Sequence, residues 1–209
     1  MVKDAFEGNI DDAVHNAGTG GRQRVLEASI EEVRGLMATN FESAVHIAQS
    51  CIPRMLRDGK PAHVMFTASE HAVALPAGNE ELGFACYGVS KHAMLMFAAW
   101  LRADLAGTNV SVSLLLPGPV LREGVADAFR QLDQNPDNPA IRAVFGRQVE
   151  QLLRALAIST GQCAQLALRG LRAGLFYIPT QPHIRHDVDR RHQEMTAAFE
   201  RMGLSGERL

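Results

Sequence analysis

The sequence predicts an α/β fold, a parallel sheet flanked by helices in one domain covering residues 1–209. Three observations predict it. Short apolar runs of buried-strand type (63–68, 110–116 and 175–178) alternate with helix-length amphipathic segments, the pattern of right-handed βαβ units. The 209 residues are 46% hydrophobic and 21% charged, enough for one sizeable core and too apolar for a disordered chain. No internal repeat, low-complexity tract or linker divides the chain.

The balance of charge excludes other classes. Twenty-one Lys and Arg against 23 Asp and Glu leave a net charge of -2, without the basic footprint of a nucleic-acid binder. No apolar run approaches the ~20 residues of a bilayer helix, and the opening MVKDAFEGNIDD lacks an apolar signal region. Cys51, Cys86 and Cys163 are too scattered for a disulfide framework or a metal knuckle. The expectation is a cytoplasmic protein that binds neither nucleic acid nor membrane.

The elements follow in order. Ile10–Val14 reads as a strand and Asn16–Gly21 as a glycine-rich turn. Ser29 and Glu32 form a capping box, and Val33, Leu36, Met37, Phe41, Ala44, Val45, Ala48 and Ile52 recur at helical spacing up to the stop at Asp58–Pro61. His63–Ala68 is a strand covered on both faces, and residues 70–86 form an irregular loop with Glu80 and Glu81 at its tip. A second helix runs from about Tyr87 to Ala106, with Met94, Met96 and Phe97 on its buried face. Val110–Leu116 is the next strand, broken by Pro117-Gly118-Pro119. Residues 120–157 read as helical with a polar break at Asn135–Pro139; Val125, Phe129, Phe145 and Leu152 make this segment an apolar, flexible pocket wall. Ser159 and Gln162 open a helix that ends at Gly174. Leu175–Ile178 is a last strand, and a polar, solvated helix starts near His183.

The chemistry gathers at one helix start. Tyr87 and Lys91 are four residues apart and share a helix face, and a neighbouring ammonium favours phenolate, as a general acid/base tyrosine requires. Ser69 ends a strand at the sheet edge where open α/β folds bind ligands. Asn40 sits mid-helix, where asparagine is a poor helix former. Two other constellations are rejected. His183, His186 and His192 beside Asp187 and Asp189 suggest a metal, but Arg185, Arg190 and Arg191 crowd them, so no metal site is expected. A hydrolase with Ser69 as nucleophile and His71 or His92 as base lacks the Gly-x-Ser-x-Gly elbow.

Taken together, Asn16-Ala17-Gly18, Asn40, Thr67-Ala68-Ser69, Tyr87 with Lys91, and Pro117-Gly118-Pro119-Val120 resemble the short-chain dehydrogenase/reductase family from Ile10 to about Arg190. No single piece is specific; their order and their placement at strand and helix ends are. The resemblance implies a doubly wound, Rossmann-like sheet and a catalytic tetrad of Asn40, Ser69, Tyr87 and Lys91. Tyr87 would exchange the proton, Ser69 would hold the substrate oxygen, Lys91 would bind the nicotinamide ribose, and Asn40 would anchor a relay water. Asn16, Ala17, Gly18, Tyr87, Lys91, Pro117, Gly118 and Val120 would contact NAD or NADP, with no sign of which. The substrate would be a small alcohol or ketone, and the two long helices would form a homodimer or homotetramer.

Departures from the family pattern shape the expectation. The sheet is partial and lacks the first three strands, with the phosphate-binding turn that belongs there, so Ile10–Val14 becomes a bare edge and the chain alone binds dinucleotide weakly or not at all. His15 stands where the family usually has Asn, and Arg122 where Thr is frequent; Arg122 either weakens a contact to the nicotinamide amide or meets an acidic group. Ser69 and Tyr87 are further apart in sequence than usual. The alternative to an enzyme is a truncated, non-catalytic relative that pairs its edge with a partner.

Overall fold

The computed structural model describes residues 10–21, 24–77, 79, 82–143 and 146–204. Glu80, Glu81 and Phe145, assigned above to the loop tip and the pocket wall, lie outside the described residues. Strand β1 is Asp12–His15, displaced by two residues from its expected start. Helix α1, Ile30–Met37, opens on the predicted capping box: Ser29 accepts from the Glu32 amide and the Glu32 carboxylate accepts from the Ser29 amide.

The first long helix is not continuous. Between α1 and α2 (Ser43–Asp58) the backbone widens into a π-turn at Ala38–Glu42. The buried positions Leu36, Asn40, Ala44 and Ala48 recur every four residues. Each such step overshoots one turn of an α-helix by about 40°, and a wider turn absorbs that drift. Gly59, with φ 67°, then ends α2 in the left-handed conformation.

Strand β2 (Ala62–Thr67), helix α3 (Ala85–Asp104) and strand β3 (Val110–Leu116) follow. Residues 120–157 are not wholly helical. They open with a short strand, β4 (Val120–Leu121), continue through α4 (Glu123–Gln134), α5 (Pro139–Arg142) and α6 (Arg147–Leu156), and lead into β5 (Ile158–Ser159), which pairs with β4. A backbone bond from Ile158 to the Pro119 carbonyl starts that small sheet. Helix α7 (Thr160–Arg172), strand β6 (Tyr177–Pro179) and helix α8 (Ile184–Arg201) complete the chain.

The main sheet has order β1-β2-β3-β6, all parallel, so β1 lies at an edge with β2 as its partner among the described residues. Its face toward α2 and α3 buries the larger core, including Phe66, Met55, Met94, Leu114 and Val64, each less than 2% exposed. Phe41, Phe97 and Phe66 meet edge to face in succession at 5.9 and 5.6 Å, which locks α3 to the sheet. The opposite face, under α7, buries Met65, Leu115, Ala167 and Ile178. Met96 is half exposed rather than buried; it shares an outward stripe of α3 with Val89 and Trp100. No helix among the described residues is long and apolar enough to cross a membrane.

Candidate active site

A cavity of about 430 Å3 opens at the C-terminal ends of β1, β2 and β3, where a parallel sheet leaves a crevice. Asn16 and Gly18 reach it from the loop after β1, Ser69 from the end of β2, Tyr87 and Lys91 from the first turns of α3, and Pro117, Gly118 and Val120 from the turn after β3. Of the expected tetrad and cofactor contacts, the structure thus brings all but Ala17 and Asn40 to this cavity.

Asn40 lies behind the wall and is fully buried. Its Oδ1 accepts from the Thr19 amide at 2.7 Å, and its Nδ2 donates to the Thr19 carbonyl and to Ser90 Oγ, each at 2.9 Å. Ser90 Oγ in turn donates to the Tyr87 carbonyl at 2.7 Å. The side chain therefore ties the post-β1 loop to the first turn of α3; the π-turn is what aims it there. His15 performs a similar task below: it is buried, its Nε2 lies 2.7 Å from Ser43 Oγ, and its ring meets Phe66 at 6.1 Å with the planes tilted by 42°.

Lys91 is 4% exposed, and its Nζ donates to the Thr67 carbonyl at 3.0 Å. Burial brings its ammonium down to about 8. Gly18 approaches closely here: a Cβ would stand 3.1 Å from Lys91 Nζ and 3.4 Å from Asn40 Oδ1, so a larger residue would press on the ammonium. The phenol does not respond as expected. Burial pushes Tyr87 up from its ordinary value, a hydrogen bond with Ser69 pulls it back, and the Glu70 charge pushes it up further. The Lys91 ammonium, 5.8 Å from the Tyr87 ring centre, is committed to the Thr67 carbonyl, so desolvation outweighs the expected depression.

His71 and Phe84 enclose the Tyr87 ring at 5.8 and 6.1 Å, both edge to face. Burial brings His71 down to about 4, so its imidazole is neutral. Its backbone amide donates to Ser69 Oγ at 3.3 Å, whereas His92 Nδ1 faces the Ala72 carbonyl at 2.7 Å. Neither imidazole engages the Ser69 hydroxyl, which removes the base from a serine-hydrolase reading. Val125 and Leu152 line the cavity as expected, but Phe129 is buried beneath it, with Arg154 stacked on its ring at 4.8 Å.

Several residues went unnoticed in the sequence. Thr67 Oγ1 is buried at the cavity without a hydrogen-bond partner among the described residues. Glu70, next to Ser69, is 3% exposed and lies 2.7 Å from His183 Nε2. The solvated reading of the last helix therefore fails at its first turn, where Asp187 is also buried and pairs with Arg190 at 3.0 Å. A glutamate placed directly after the strand-end serine is the signal that was available; its partner, 113 residues away, had none.

The family model described as short chain dehydrogenase matches residues 1–133. A 1-deoxy-11-beta-hydroxypentalenate dehydrogenase from Streptomyces exfoliatus is 43% identical over 124 residues, 57% of this chain and 43% of that protein. The protein of the same name from Streptomyces avermitilis is 40% identical over 115 residues, 54% of this chain and 41% of that protein. These matches span less than half the length of either relative. Among solved structures, a short chain dehydrogenase/reductase from Burkholderia phymatum in complex with NAD superposes with TM-score 0.74 at 27% identity, covering 91% of this chain and 68% of that one.

Proposed function

The chain belongs to the short chain dehydrogenase family, and on that premise we propose that it serves an NAD(P)-dependent oxidoreductase that interconverts an alcohol and a ketone in the cytoplasm. The observation that carries this reading is the convergence of Ser69, Tyr87 and Lys91, from separate elements, on one cavity. A nicotinamide dinucleotide, NAD or NADP, suits the residues there: the buried Thr67 Oγ1 wants a partner, and Gly18 keeps the space beside Lys91 clear. Asn16, Gly18, Tyr87 and Lys91 would hold its ribose side, and Pro117, Gly118 and Val120 its amide side, with Ala17 supporting the loop from outside the cavity. When bound, it supplies or accepts the hydride.

The chain's own residues handle the proton. Tyr87 gives its proton to a ketone oxygen or takes one from an alcohol, and Ser69 donates a hydrogen bond that holds the same oxygen. The contacts of the Tyr87 ring with His71 and Phe84 hold the phenol in position at the cavity. Lys91, with an ammonium brought down to about 8, can release and regain a proton near neutral pH. Asn40 contributes by fixing the loop and α3 together. Apolar walls from Leu82, Phe84, Val125 and Leu152 suit a moderately hydrophobic substrate, and the Streptomyces relatives are named for a hydroxylated one. Tyr87→Phe, assayed against a panel of such alcohols with both cofactors, should lose about 10²–10⁴-fold in turnover. Unchanged turnover overturns the assignment.

We further propose a homodimer or homotetramer built on the long helices. The exposed stripe of Val89, Met96 and Trp100, at 60, 50 and 65% exposure, supports it. A single monomer boundary in sedimentation at micromolar concentration would refute it.

A further inference from the structure

We propose that Glu70, seated by His183, is a positioning residue of the reaction site: it clamps the Ser69 end of β2 to the Pro117–Val120 turn and fixes the charge that faces Tyr87. This rests on the proposed proton chemistry of Tyr87 and adds to it a group from the far end of the chain.

The geometry begins with the backbone, where the Glu70 amide donates to the Pro117 carbonyl at 2.9 Å. The carboxylate then turns under the turn after β3. A Cβ on Gly118 would meet Glu70 Oε2 at 2.6 Å and Gln181 Oε1 at 2.9 Å, so any larger residue there would push these two side chains away from the turn. Gln181 grips the same turn from the other side: its Oε1 accepts from the Gly118 amide at 2.8 Å and its Nε2 donates to the Pro119 carbonyl at 2.7 Å. His183, two residues on, closes the assembly on Glu70 at 2.7 Å. A carboxylate this deep is costly without a partner, and the His183 imidazole lies closest to it, as an ion-pair contact without the angles of a hydrogen bond.

The titratable groups around Glu70 are His183 and Asp187 from the start of α8 and Tyr87 from α3. Burial raises the Glu70 carboxyl, His183 draws it back, and Asp187 raises it again. At the alkaline pH where a phenol ionises, Glu70 is a carboxylate and opposes the phenolate.

The test needs neither cofactor nor substrate, because the chain has two tyrosines. In a Tyr177→Phe background, near-ultraviolet phenolate absorbance reports Tyr87 alone. Glu70→Gln keeps the shape and removes the charge, so the Tyr87 midpoint should fall by on the order of one pH unit. His183→Ala releases the carboxylate to water and should lower it likewise, and the double variant should shift no further than either single one. Circular dichroism at each pH confines the comparison to folded protein. An unmoved midpoint in folded Glu70→Gln, or additive shifts in the double variant, would overturn the proposal. Failure of the oxidoreductase reading would show elsewhere, as full turnover in Tyr87→Phe.

Discussion

One wall of the cavity, made of strand ends and α3, rests on side chains withdrawn from water; the opposite wall, residues 122–156, is tied together mainly by ion pairs. Behind the first lie Phe66, Met94 and Leu114, all fully buried, and the hydrogen-bonded Asn40. Helices α5 and α6 bury no residue at all. One ion pair joins them, Arg142 to Glu150 at 2.6 Å, and others tie α6 to itself and its surroundings: Arg154 to Glu150 at 2.8 Å and to Asp133 of α4 at 2.7 Å, and Arg147 to Asp137 at 2.5 Å. The proposed reacting groups all stand on the packed wall, whereas Val125 and Leu152 of the charged wall complete the space a substrate would fill. Position is held where chemistry demands it, and adaptability is left to the side that meets varied ligands.

The contrast can be broken from its stronger side first. Phe66→Ala removes the ring shared by Phe97 and His15 and should cost about 3–5 kcal/mol, read as a drop of roughly 10 °C in Tm. A loss below about 1 kcal/mol would mean that this wall is not fixed by packing.

Lys91→Met sharpens the comparison, since it touches the packed wall and the chemistry together. The folded chain holds Lys91 at about 8 against 10.5 for the free side chain, so the unfolded chain binds more protons between those values. Stability should therefore rise with pH across that window in the wild type. Lys91→Met should flatten the rise and stabilise the protein at neutral pH by up to on the order of 3 kcal/mol. It should at the same time weaken dinucleotide binding and lower turnover. Thermal melts from pH 7 to 10.5 check the first effect, and binding isotherms with steady-state rates the second.

The charged wall should give the smallest response. Glu150→Gln removes the carboxylate that Arg142 and Arg154 hold below the usual range by hydrogen bonds, and should shift Tm by no more than about 4 °C. Because that carboxyl is depressed, its contribution is present above the ordinary carboxylate range and fades as pH falls through the folded value. Raising salt toward 1 M should erase most of the difference between wild type and variant, as the Debye length shrinks to about 3 Å. A salt-independent difference would show that packing holds this wall as well.

What could be foreseen from sequence divides along the same physical line. Local signals proved readable: the boxes at Ser29/Glu32 and Ser159/Gln162 cap their helices, and Tyr87 and Lys91 share a face as their spacing requires. Features set by distant packing were not. Nothing around His183 announces Glu70, and nothing around Met96 says that its stripe of α3 faces outward while Met94 faces in. The π-turn was hidden because a spacing of four looks like ordinary helix over two turns and departs from it only over four. The sign of the Tyr87 shift was missed for a related reason, because desolvation depends on everything that covers the ring and not on one neighbour.

The widened turn at Ala38–Glu42 holds one residue more than a uniform helix would. Loss of Thr39 alone would let the backbone relax to uniform helix and leave the rotation of α1 against α2 nearly unchanged. Leu36 would keep its place in the interior, whereas Asn40, which sits inside the widened turn, would lose its grip on Thr19 and Ser90. That deletion would spare the packing beside it and uncouple the glycine turn from the helix that carries the phenol.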